Sequence, residues 1–93
     1  MAQAANGPDP EVYLAFAEQL ILDMPEGREF VSADILRMMR SSGWPDLAEP
    51  RRLGPMLLRL RSRGCVEKID VRSTPARSHG GVTSVWRRTE RQL

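Results

Sequence analysis

Five arginines lie within sixteen residues of this chain, in the stretch EPRRLGPMLLRLRSRG at 49–64. A guanidinium stays charged at any ordinary pH and presents five donors in a planar fork. It therefore suits phosphate oxygens and the paired acceptors of a base edge. Anion recognition is the chemistry open to such a cluster. Covalent chemistry is poorly supplied, because the chain has one histidine, His79, and one cysteine, Cys65. The histidine falls in a polar loop and the cysteine at a strand start, so they make no nucleophile–base pair. Cys65 reads as a small buried residue. The carboxylates of the first half read as scattered over helix surfaces, with no pair placed for acid–base work. A lone cysteine builds neither an intramolecular disulfide nor a cysteine-rich metal site. No enzyme activity, metal or cofactor is expected.

The distribution of charge sharpens this reading. The net charge of +2 conceals two unlike halves. Residues 1–50 hold three arginines against nine carboxylates, a net of −6. Residues 51–93 hold ten arginines and Lys68 against Glu67, Asp70 and Glu90, a net of +8. A GC-rich coding bias would explain arginine over lysine, but not this segregation. A basic surface facing a polyanion explains it, and nucleic acid is the commonest such partner.

The elements that would carry these arginines can be read in order. Ninety-three residues with 41% hydrophobic and 28% charged content make one small globular domain at 9–90, after a disordered lead at 1–8 and before a frayed end at 91–93. Asp9 and Pro10 read as N-cap and first residue of a helix. Tyr13, Phe16, Ala17, Leu20, Ile21 and Met24 give it one apolar stripe, with Glu11 and Glu18 turned to solvent and Pro25 as its stop. Leu14 and Leu22 read as its exposed apolar residues. Glu29-Phe30-Val31 is a short extended piece, Ser32 caps a second helix, and Asp34 sits in the first turn, where the helix dipole favours a carboxylate. Ile35, Leu36 and Met39 form the buried side of that helix and Gly43 its stop. Trp44-Pro45-Asp46 is a turn, and Trp44 and Trp86 read as core plugs.

The arginine-rich stretch is the third helix. Its apolar stripe is Leu53, Met56, Leu57 and Leu60; Arg51, Leu58, Arg59 and Ser62 point away, with Arg52 and Arg63 on one shoulder. A proline deep in a helix costs ~3 kcal/mol, so Pro55 belongs in the first turn and the regular helix runs from about Leu53 to Arg63. Pro50 begins a tight entry before it, and Gly64 ends it. Strands at Val66–Arg72 and Val82–Arg88 then flank a polar loop, RSTPARSHGG, with the Gly80-Gly81 pair of a hairpin tip.

The extended Phe30-Val31 before Ser32, the RRLGPMLLRLRSRG helix running into Cys65-Val66, and the basic tip before SVWRR together resemble a winged helix-turn-helix domain. The likeness covers roughly 9–90 and is to small DNA-binding proteins encoded by phages and bacteria. It implies an α+β fold of three helices with a C-terminal two-stranded β-hairpin wing. One departure is the nine-residue gap between Gly43 and Leu53, longer than a compact helix-turn-helix turn. The resemblance also implies a role, a sequence-specific transcriptional regulator reading the major groove of double-stranded DNA with the third helix (about 51–63); a cytoplasmic location is the default expectation for a sequence with no signal-peptide pattern or membrane span. Arg51, Arg52, Arg59, Ser62 and Arg63 would contact DNA from that helix. Arg72, Arg77 and His79 would reach phosphate or minor groove from the 72–81 wing.

Other readings stand beside these. Arg61 and Arg63 suit local ion pairs or plain solvation as well as contact, and His79 reads also as a solvent-exposed loop residue. RNA fits less well, since only five residues are Phe, Trp or Tyr and none cluster for stacking. The second class of function is a winged helix serving as a protein-interaction module without DNA readout, with a partner on the acidic first half or on the basic second half. A homodimer also stays open. The opening MAQAANGPDP has no signal-peptide pattern, and no segment approaches the ~20 apolar residues of a membrane span.

Overall fold

The structure is a computed structural model and describes residues 9–73 and 82–91. Along the chain run α1 (Pro10–Leu22), β1 (Glu29–Phe30), α2 (Ser32–Ser41), a 3₁₀ turn (Pro50–Arg52), α3 (Leu53–Ser62), β2 (Val66–Ser73) and β3 (Val82–Arg88). Asp9 accepts a hydrogen bond from the Glu11 N–H at 2.9 Å, which satisfies one of the orphan donors at the start of α1. Tyr13, Ala17 and Ile21 are its buried face. Met24 is buried too, although the helix ends at Leu22.

Two features of α1 differ from the periodicity reading. Phe16 is 54% exposed and lies against Trp44, ring centroids 4.9 Å apart, outside the main core. The half-buried Trp44 also meets Tyr13 edge-on at 5.8 Å. Leu14 and Leu22, expected at the surface, are instead half-buried against the core, and Val12 is exposed with Phe16. Glu18, on the opposite shoulder of α1, pairs with Arg59 of α3, while Phe16 meets Trp44 of the loop after α2.

The start of α2 is capped differently from the expectation. Ser32 is its first helical residue, and Val31 holds the cap position in extended conformation. Asp34 performs the capping by reaching back, accepting the Val31 N–H on Oδ2 at 2.9 Å. Burial, the largest single influence on this carboxyl, pushes its pKa up. The Val31 N–H, the hydrogen bond from Arg37 and the charges of Arg37 and Arg28 outweigh it, holding Asp34 below its ordinary value. A depressed carboxyl stabilises the fold above its unfolded-state pKa and loses that contribution as pH falls through the folded value. Asp34→Asn should therefore lower stability near neutrality by about 1 kcal/mol, the worth of a cap. In urea melts the two proteins should converge only at pH below the ordinary carboxylate range.

The hairpin expected at the carboxyl end is part of a three-stranded antiparallel sheet in the order β1-β3-β2. Glu29 pairs with Arg87 and Phe30 with Trp86, so β1 closes the free edge of β3. Phe30 is buried, and its strand needs ladder partners because unpaired backbone groups beside a core are costly. Two further bonds extend the seam, Gly27 N–H to Arg88 O at 2.8 Å and Arg88 N–H to Arg28 O at 2.9 Å. A two-residue strand leaves little periodicity to read, so the sequence shows the extended piece without its pairing. The β2–β3 register shifts between Lys68 and Asp70, where Ile69 has no partner on β3.

The core lies between the helices and the sheet face that carries Phe30, Val66 and Trp86. Ile35 and Met39 enter it from α2, and Leu53, Met56, Leu57 and Leu60 from α3. Leu47, midway along the long connection after α2, is buried as well and pins that segment down. The bidentate pair from Arg40 to Asp46, both contacts 3.1 Å, ties the same segment to the end of α2.

At the edge of this core sits Arg88, 1% exposed. Its Nε donates to Ile21 O and its Nη2 to Leu22 O, each at 3.1 Å. Nη1 lies 2.9 Å from Cys65 O and 2.8 Å from both Thr89 O and Arg91 O. The guanidinium thus caps the negative end of α1, whose last carbonyls have no partner inside the helix. It also joins α1 to the α3–β2 junction and to the residues after β3.

Candidate nucleic-acid interface

The third helix forms as its prolines dictate. Pro50 opens the 3₁₀ turn, and Pro55 stands third in α3, where its missing N–H breaks no intrahelical bond. Leu53, Met56, Leu57 and Leu60 face inward. Gly64, at φ 81°, supplies the left-handed residue that ends the helix and turns the chain into β2. Ten helical residues make a rod of about 15 Å, which fits along a groove about 12 Å wide.

Exposed on and beside α3 are Arg51 and Arg52 in the turn before it, Leu58, Arg59, Arg61 and Ser62 in the helix, and Arg63 just past its end. Among the described residues, Arg51, Arg61 and Arg63 form no ion pair, and their guanidinium groups are open to an incoming anion. Arg52 makes a loose 3.8 Å contact with Glu49, one turn earlier. Arg59 is committed elsewhere: its Nη2 lies 2.9 Å from Glu18 Oε1 on α1. Glu18, expected to face solvent, has a side chain only 20% exposed and seals the α1–α3 seam.

Arg72 occupies a different part of the surface. It pairs with Thr83 in the β2–β3 ladder, which puts it on the sheet face of Val85 and opposite that of Trp86. There it lines a small cavity with Glu29, Phe30, Val31 and Asp34. Val71 and Val82, both exposed, are on the Trp86 side of the same hairpin. Arg77 and His79 lie outside the described residues.

The structure therefore separates some arginines of the basic second half that have protein partners from others that have none among the described residues. Arg88 is internal, Arg87 pairs with Glu67 at 2.9 Å, and Arg59 pairs with Glu18. Arg51, Arg61 and Arg63 stand on and beside α3. The sequence leaves Arg61 open between contact and solvation, and its spacing from Leu60 is the signal that it leaves the core. Nothing local marks Arg88 as internal.

Among the described residues no histidine, cysteine and carboxylate side chains gather as a metal site, and no helix is long and apolar enough to cross a membrane. Cys65 is fully buried behind the α3–β2 junction. Compared with known proteins, the chain matches no family model, no curated protein and no solved structure. The fold is thus defined by its own elements: an α+β domain with three helices and a three-stranded antiparallel sheet, compatible with a winged-helix-like arrangement.

Proposed function

We propose that this chain is a winged helix-turn-helix protein that binds double-stranded DNA, acting as a small sequence-specific transcriptional regulator. The outward side of α3 enters the major groove, and the hairpin after it meets the backbone. The observation that carries this reading is three exposed arginines around α3, Arg51 in the turn before it, Arg61 in its last turn and Arg63 just past its end, unpaired among the described residues. The order of elements supports it, since α2 and α3 precede a hairpin whose inner strand is bridged by β1. Arg51 stands at the amino end of the helix, the usual place for base contacts, and a guanidinium there matches O6 and N7 of guanine.

A protein-interaction role has one observation of its own, the exposed Val12 and Phe16 beside Trp44 on the far shoulder of α1. That shoulder lies apart from the Glu18 side where α3 packs, so the two surfaces do not compete.

Titration of a random-sequence duplex at several salt concentrations tests the DNA reading. With three to five phosphates contacted, log K against log salt should fall with a slope of about −3 to −4.5. A flat dependence, or no binding at low salt, removes DNA and leaves the α1 shoulder as the functional surface.

A further inference from the structure

We infer that Leu58 is a specificity-determining residue that reads the C5-methyl group of thymine; the inference rests on the DNA-binding reading of α3. Leu58 is 53% exposed in the middle of a ten-residue helix. The core does not explain it, since Leu53, Met56, Leu57 and Leu60 already fill the inward stripe. At about 100° per residue, Leu58 points nearly opposite that stripe and within about 40° of Ser62. Arg61 follows it by three residues and Arg51 precedes it by seven, so an apolar side chain stands at the centre of a polar, basic face.

By binary patterning, a solvated position at the centre of a basic face takes a polar or charged residue. Leucine there has a use if the opposing surface offers an apolar group. The major groove offers one such group on the unmodified bases, the methyl on C5 of thymine. The flanking guanidinium groups hold the phosphates or guanines on either side, and Leu58 meets the floor of the groove between them. Its isobutyl group carries no donor or acceptor, so it contributes discrimination only where a methyl lies beneath it. A cytosine or a purine edge at that position would leave polar atoms against leucine without partners.

The test uses duplexes recovered from a random pool by the full-length protein, resynthesised with deoxyuridine replacing each thymidine in turn. Uracil keeps the pairing edge and lacks only the methyl. Removing one buried methyl is expected to weaken binding about fourfold at one position per bound helix, and little elsewhere. Leu58→Ala and Leu58→Gln, both surface changes, should bind thymine and uracil duplexes equally at that position while keeping the wild-type salt slope on random DNA. Salt-dependent binding by the wild type with no thymine–uracil difference at any position overturns the role of Leu58 and leaves the DNA reading intact. Absence of duplex binding at low salt overturns both. A difference that persists unchanged in Leu58→Ala assigns methyl reading to another residue and overturns this one.

Discussion

Arg88→Met should destabilise this protein by about 4 kcal/mol, the largest stability loss expected of any single arginine in it. The guanidinium reaches five carbonyl oxygens, on Ile21, Leu22, Cys65, Thr89 and Arg91. Methionine fills much of the same volume and supplies no donor. Ile21 O and Cys65 O would each keep one backbone N–H, from Met24 and Thr89 at 3.0 Å. The loss therefore falls on the part-buried carbonyls of Leu22, Thr89 and Arg91, at about 1–3 kcal/mol for each that water cannot reach, and on the tie between three segments. Two of them end α1, so the helix loses its C-terminal cap together with the favourable charge at its negative pole. A domain of this size is stable by roughly 5–14 kcal/mol, so the loss is a large share of the whole. Arg88→Lys keeps the charge but offers three donors from one nitrogen, too compact to span carbonyls on three segments, and should fall between. Urea denaturation reads the difference as a shift in midpoint. Arg63→Met, at an exposed position, is the control and should move it little. If Arg88→Met and Arg63→Met melt together, the internal guanidinium is not what joins α1 to the sheet.

Arg88 also marks where the sequence stops being legible. Its neighbours in VTSVWRR alternate as a strand should, and Val82–Arg88 is a strand. Whether an arginine on that strand is solvated or internal depends on carbonyls 66 and 67 residues away, which no local pattern encodes. The same holds for Arg59, whose partner Glu18 is 41 residues distant. By charge alone both belong with the basic surface; Arg88 is internal, and Arg59, its side chain 53% exposed, is paired to α1.

Local chemistry, by contrast, is legible. The Asp9–Pro10 start, the proline-delimited entry to α3 and the glycine stops at Gly43 and Gly64 follow from backbone rules that act within a turn of the residue concerned. The four inward residues of α3 follow from its period. Phe16 departs from its stripe because a stripe of helical width exceeds what the neighbouring elements can cover. β1 is visible as an extended piece, but its place beside β3 is a tertiary choice, settled by the need to pair the backbone around Phe30. The residues of the proposed interface sit between these cases. The period of α3 turns Arg51 and Ser62 outward, while only the ion pair to Glu18 removes Arg59 from the set open to an anion.

Replacing Arg51, Arg61 and Arg63 together by glutamine should lower affinity for duplex DNA roughly a thousandfold while leaving the fold unchanged. All three side chains are exposed, and none forms an ion pair among the described residues, so their removal leaves no buried group without a partner. Each charge-assisted hydrogen bond to DNA contributes ~1.5 kcal/mol, and three of them amount to about three decades. Glutamine retains a hydrogen-bonding end and much of the stem, so the change removes charge more than bulk. Counterion release gives an independent reading. Each phosphate no longer neutralised makes the salt slope shallower by about 0.9, so with Arg51 on a base and Arg61 and Arg63 on phosphates a slope near −4 should relax towards about −2. Arg87→Gln, on the sheet beside Glu67, is the matched control and should alter neither number much. Urea melts of the triple variant should coincide with wild type, which separates weaker binding from a weaker fold. A triple variant that keeps the wild-type affinity and slope would show that α3 does not face DNA. The exposed apolar shoulder of α1 would then be the surface to pursue, with Phe16 and Trp44 as its first targets.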